Sequence, residues 1–195
     1  ARLCGYLSGW GKEHLVPEQV AALDALVKIG GRDAGEAVVA GILQRVFIGP
    51  TLGSAVAAAA ALAAIVPEKT LLGLLRHDDP HLRVNACRCV RGSASVVALL
   101  IDLLDDLHPA VATAAACALG RIGRIEARLH LTRLLDEDAT PDIICALAII
   151  ADRDDLIQLG RLAQRTPTLV GSVLDALDSS DHPYAAVIAA TLQDG

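Results

Sequence analysis

Apolar residues recur at helical spacing through most of the chain. Between His108 and Asp138, Val111, Ala115, Ala118, Leu119 and Ile122 fall on one helical stripe. Ile125, Leu129, Leu134 and Leu135 form a second stripe. His108-Pro109 opens the first helix, because proline at the first helical position lacks only an N–H that would be unpaired anyway. Gly123 separates the two helices by accepting a left-handed backbone. The acidic run Asp136-Glu137-Asp138 ends the second. This stretch therefore predicts helix, tight turn, helix.

The same unit recurs along the chain. A small residue followed by a large one marks it at Ala25-Leu26, Ala61-Leu62, Cys89-Val90, Ala118-Leu119, Ala146-Leu147 and Ala176-Leu177. The second members are separated by 36, 28, 29, 28 and 30 residues. Pro80, Pro109 and Pro167 each lie nine residues before their small residue; Pro141 lies five before its own, so that helix starts late. The predicted pairs are 17–29 with 34–46, 51–65 with 67–76, 80–91 with 94–105, 109–122 with 125–135, 141–151 with 154–165, and 167–178 with 183–193. Residues 1–14 read as the remnant of a preceding helix. The chain contains no Met, which suggests a trimmed sequence.

One such pair cannot cover both of its apolar stripes, but the next pair stacked against it can. The expected fold is therefore all-α: a single α-solenoid domain over 1–195, of about six stacked antiparallel helix pairs. Composition agrees. Apolar residues make up 53% of the chain and aromatics only 2%, so the core is built from Ala, Leu, Val and Ile. The small anchor residues let neighbouring helices approach closely. Asp residues in the turns 76–79 and 105–108 favour the starts of the following helices.

Asp79-Pro80-His81-Leu82-Arg83-Val84-Asn85-Ala86, together with Pro109-Ala110-Val111 and Ala118-Leu119-Gly120-Arg121-Ile122-Gly123, resembles HEAT repeats. The closest likeness is to the short bacterial type first named after phycobilin lyases. The resemblance implies a HEAT-like superhelix and a ladder of Arg–acid pairs, with the Arg three residues after the Pro. Only Arg83 fits that pattern; Ala112 and Val170 stand at the matching positions, so the ladder is expected to be mostly absent.

Net charge is −6 and the isoelectric point about 5.4, which argues against broad binding to nucleic acid or anionic lipid. Val46 to Val66 has no charge, but Gly49-Pro50 and Gly53 interrupt it, so a buried Ala-rich helix is expected there rather than a membrane span. Five cysteines without framework spacing point to a reducing, cytoplasmic setting.

His77, His81, Cys87 and Cys89 lie close enough in sequence to suggest zinc. Cys87 and Cys89 are two apart on a helix, however, and so diverge, and Cys89 fills a packing position. Cys89, Cys117 and Cys145 are accordingly expected to be buried packing residues, with no metal and no cofactor. No thiol is placed beside His108 or His130, so no nucleophilic pair is assigned. Acidic clusters recurring at repeat edges read as helix-start residues rather than cation sites. No catalytic residue emerges.

The expected function is a non-catalytic scaffold that binds another protein through the second helices. The candidate contact residues are Lys69, Arg128, Arg133, Gln158, Arg161 and Arg165. Their arginines form a positive strip suited to an acidic segment. A bilin lyase or chaperone-like role and HEAT-like nucleic-acid binding are the alternatives; both are disfavoured by the shortage of aromatics, and the second also by the charge. The apolar content leaves room for burial between copies of the chain.

Overall fold

The computed structural model describes residues 17–43, 62 and 64–193. All regular elements among them are helical. The chain divides into two compact units, 1–114 and 115–195.

The first unit holds α1 (Pro17–Ile29), α2 (Arg32–Leu43), α3 (Glu68–Leu75), α4 (Pro80–Arg88) and α5 (Ala94–Asp102), the last extended by a 3-10 turn over Leu103–Asp105. Helix α6 (Pro109–Arg121) begins here and contains the division. The second unit continues with a 3-10 turn at Ile125–Ala127, then α7 (Arg128–Glu137), α8 (Pro141–Ile150) and α9 (Arg153–Arg165). It ends with a 3-10 turn at Pro167–Leu169, α10 (Val170–Asp178) and α11 (Ala185–Gln193). The predicted helix positions hold to within a few residues wherever they are described. The predicted helix 51–65 and residues 1–14 lie almost entirely outside the described residues.

The helix boundaries follow from local chemistry. Asp79 caps α4 by accepting from the His81 amide, with Pro80 at the first helical position. Thr140 caps α8 in the same way. Asp152 and Asp155 form a reciprocal capping box at the start of α9. Gly123, at φ +81°, ends α6. Its amide donates to the Gly120 carbonyl and the Arg124 amide to that of Leu119, the paired bonds of a Schellman turn.

Packing is between neighbours in sequence. In the first unit α1 packs on α2, α3 on both α4 and α5, and α2 on α4. In the second unit α8 packs on α7, α9 and α10, and α11 on α9 and α10. First helices of successive pairs (α8, α10) thus form one layer and second helices (α9, α11) the other, the HEAT-like solenoid arrangement. Most of the anchors sit in the core: Leu26, Leu62, Cys89, Ala118, Leu119, Ala146, Leu147, Ala176 and Leu177 are buried, while Ala25 and Val90 are only half-buried.

Two expectations require correction. The apolar spacing predicts Ile125 and Leu129 on a buried stripe, but they are 72% and 83% exposed. The 3-10 turn at Ile125–Ala127 shifts the phase, and Ala127, Leu131 and Leu135 face the core at a spacing of four instead. Cys145 is half-buried, whereas Cys87, Cys89 and Cys117 are buried. It lies on the side of α8 that carries exposed Ile149, one turn further on.

Thiol chemistry should report that difference. Burial, followed by the charges of Asp142 and Asp175, pushes the Cys145 thiol up and keeps it a modest nucleophile. Cys145 is nevertheless expected to react with iodoacetamide at least several-fold faster than Cys89 or Cys117 in the native protein. Peptide mapping during a time course checks this; equal rates for Cys89 and Cys145 would refute the packing assignment.

Candidate interaction site

The six predicted contact residues fall into two groups. Arg128 and Gln158 are engaged within the fold. Arg133, Arg161, Arg165 and Lys69 face solvent.

Arg128 opens α7 and reaches across to the turn before α9. Its Nε donates to Asp155 Oδ2 at 2.6 Å and its Nη2 to Asp152 Oδ2. Asp155 is a buried carboxylate, only 4% exposed, and it also accepts from the Asp152 amide at 3.0 Å. Thr132 Oγ1, one turn after Arg128, lies 3.4 Å from the other Asp155 oxygen. Donation to the Asp155 carboxylate pulls the Arg128 pKa up further, against burial, with the charges of Asp155 and Asp152 adding to it. Asp152 is held below the usual carboxylate range first by the Asp155 amide, then by the Arg128 charge. One turn further along, the Gln158 amide donates to Asp136 Oδ1 at 2.7 Å. These contacts run parallel along α7 and α9 and join second helices of successive pairs.

Arg83 makes the corresponding link in the first unit. Its guanidinium donates to both Asp106 oxygens, at 2.9 and 3.0 Å, and to the carbonyls of His77 and Asp78. It therefore ties the turn before α4 to the turn before α6. Burial raises the Asp106 pKa, but hydrogen bonds from Arg83 and the His108 amide outweigh it and hold the carboxyl low. The Arg–acid ladder is thus fuller than the Pro-to-Arg spacing implied. Arg128 supplies a second rung from a second helix.

The solvent-facing set is different in kind. Arg133 lies 3.7 Å from Glu137, with both side chains more than three-fifths exposed, an arrangement that contributes little. Arg161 and Arg165 are exposed one turn apart on α9, and Arg165 Nε donates to the Arg161 carbonyl. Neither forms an ion pair among the described residues. Ile125, Leu129 and Arg133 follow one another at a spacing of four, so two exposed apolar side chains lead into an exposed cation. Lys69 is exposed on α3, in the first unit.

Two of the histidines are engaged in their own turns. His77 Nδ1 accepts from the Asp79 amide and shapes its own turn, and His182 Nδ1 accepts from the Tyr184 amide. Among the described residues no three His, Cys, Asp or Glu side chains form a metal-binding group. No described helix is long and apolar enough to cross a membrane. No curated protein and no solved structure matches the chain. Residues 67–151 match the family model described as HEAT repeats, and the helix pairs of that stretch are HEAT-like repeats.

Proposed function

We propose that the protein is a non-catalytic scaffold of the short HEAT-like type, working in a reducing cytoplasmic setting and binding an acidic segment of another protein through its second helices. The observation that carries this reading is the exposed set on α7, the 3-10 turn before it and α9: Ile125 and Leu129 leading to Arg133, with Arg161 and Arg165 on the next second helix. Paired exposed apolar side chains next to exposed guanidinium groups suit a segment that alternates apolar and carboxylate residues. Arg128 and Gln158 serve this surface indirectly, by fixing α7 against α9. Lys69 stands on another second helix and belongs to the same class of surface.

A fluorescein-labelled acidic peptide rich in Glu and Leu, followed by anisotropy, tests the reading. The double variant Arg161→Glu with Arg165→Glu is expected to weaken Kd about tenfold or more, since two favourable charges become unfavourable ones. Helicity and melting should stay unchanged at these exposed positions. An unchanged Kd in a normally folded variant rejects the strip as the site.

A further inference from the structure

The last helix pair carries a second surface of opposite chemistry. A groove of about 640 Å³ opens between α10 and α11. Leu174 and Leu177 line it from α10, and Ala186, Ala189 and Ala190 from α11. The alanines are three and four residues apart and so form one stripe of small side chains along the groove wall. Asp175, Asp178 and Asp181 also line it and are exposed, at a spacing of three. None of the three forms an ion pair among the described residues.

The α10–α11 segment carries fixed charge of one sign, and Arg153 of α9 is stacked over the Tyr184 ring at 4.7 Å. Residues 166–195 contain Asp175, Asp178, Asp181 and Asp194 and no Lys or Arg. Some carboxylates elsewhere are paired with arginine, as Asp106 is with Arg83 and Asp152 with Arg128. Here three carboxylates border apolar surface with no cation supplied by the same helices. A groove half lined by apolar side chains and edged by negative charge selects for an amphipathic occupant that brings its own positive charge. The alanine stripe favours a helix, because small side chains let two helix axes come close.

We propose that the α10–α11 groove binds a basic amphipathic helix of another protein. Its apolar stripe lies against Leu174 and the alanines, and Lys or Arg at helical spacing reaches Asp175, Asp178 and Asp181. This site is separate in residues and opposite in charge to the Arg161–Arg165 surface, so either assignment can fail alone.

Two labelled helical peptides with one Leu/Ala stripe, differing only in Lys against Glu on the flanks, provide the test. The Lys peptide is expected to bind at least tenfold more tightly than the Glu peptide, and more weakly as salt rises. The double variant Asp175→Lys with Asp178→Lys should lose at least tenfold of that affinity. Ala190→Trp, which fills the groove without changing charge, should lose a similar factor and so separate the site from general attraction of a basic peptide to an acidic protein. Equal affinity for both peptides, or full binding by Ala190→Trp, overturns the proposal. So does sedimentation showing a dimer of the chain that buries this groove and excludes the Lys peptide, which would make the occupant a second copy.

Discussion

Replacing Arg128 with Leu is expected to destabilise the second unit by about 2–3 kcal/mol, the largest loss from any single side chain on its surface. The reason lies in what remains behind. Asp155 is 4% exposed and accepts its shortest bond, at 2.6 Å, from Arg128 Nε. Without that guanidinium a buried carboxylate keeps only an amide and a distant hydroxyl. Arg128 itself is 39% exposed, so solvent screens part of its charge and the loss falls below the range for a fully buried pair. Asp155→Asn in the Arg128→Leu background should recover part of the loss, because it removes the orphaned charge. Chemical denaturation of the single and double variants measures both quantities; a loss under about 0.5 kcal/mol for Arg128→Leu would make the pair ornamental.

The same knot sets an acid limb. Asp152 titrates lower in the folded state than in the unfolded chain. The unfolded state therefore takes up its proton first as pH falls. The contribution is complete above the ordinary Asp pKa of about 3.9 and is lost as pH drops through the lower folded value. Asp106 behaves in the same sense in the first unit. Asp106→Asn should flatten the acid limb of that unit's stability while leaving pH 6–8 behaviour parallel to the parent.

The contrast between Arg83 and Arg128 shows what sequence reveals. Helix positions were legible because proline, glycine and apolar spacing act over a few residues, and each of these signals agreed with the others. Pro141 near its anchor announced the late start of α8, and Gly123 announced the end of α6. The rungs between repeats are non-local. Arg83 meets Asp106 across 23 positions, and Arg128 meets Asp152 and Asp155 across 24 and 27. Arg128 looked like a surface residue because its partner lies nearly one repeat away. The period itself was the usable signal, since an Arg followed by an acidic residue almost one repeat later recurs at both sites. The buried face of α7 departs from the predicted one for another reason. Leu129, Leu131, Leu134 and Leu135 offer two stripes of similar strength, and only the 3-10 turn before the helix decides between them. That turn left Leu129 exposed and so created the apolar part of the candidate surface.

Gly120→Ala is expected to destabilise the second unit by about 2 kcal/mol, against the direction that helix propensity dictates. In an exposed helix interior the same change would stabilise by roughly 1 kcal/mol, because alanine loses less backbone entropy than glycine. At position 120 a Cβ would stand 2.6 Å from the Ala146 carbonyl oxygen, 2.9 Å from the Ala146 Cβ and 2.9 Å from a Leu131 methyl. Two of these three atoms belong to the backbone or Cβ of α8 and cannot rotate away, so α6 and α8 must separate. Overpacking of this kind costs about 1–3 kcal/mol. Ala146 is itself a small anchor, which makes the contact a meeting of small residues from successive first helices. Gly171, in α10 with open space around its missing Cβ, is the internal control. Gly171→Ala should raise the melting temperature slightly and Gly120→Ala should lower it by several degrees. If both raise it, the close approach of α6 to α8 is not a constraint on the fold.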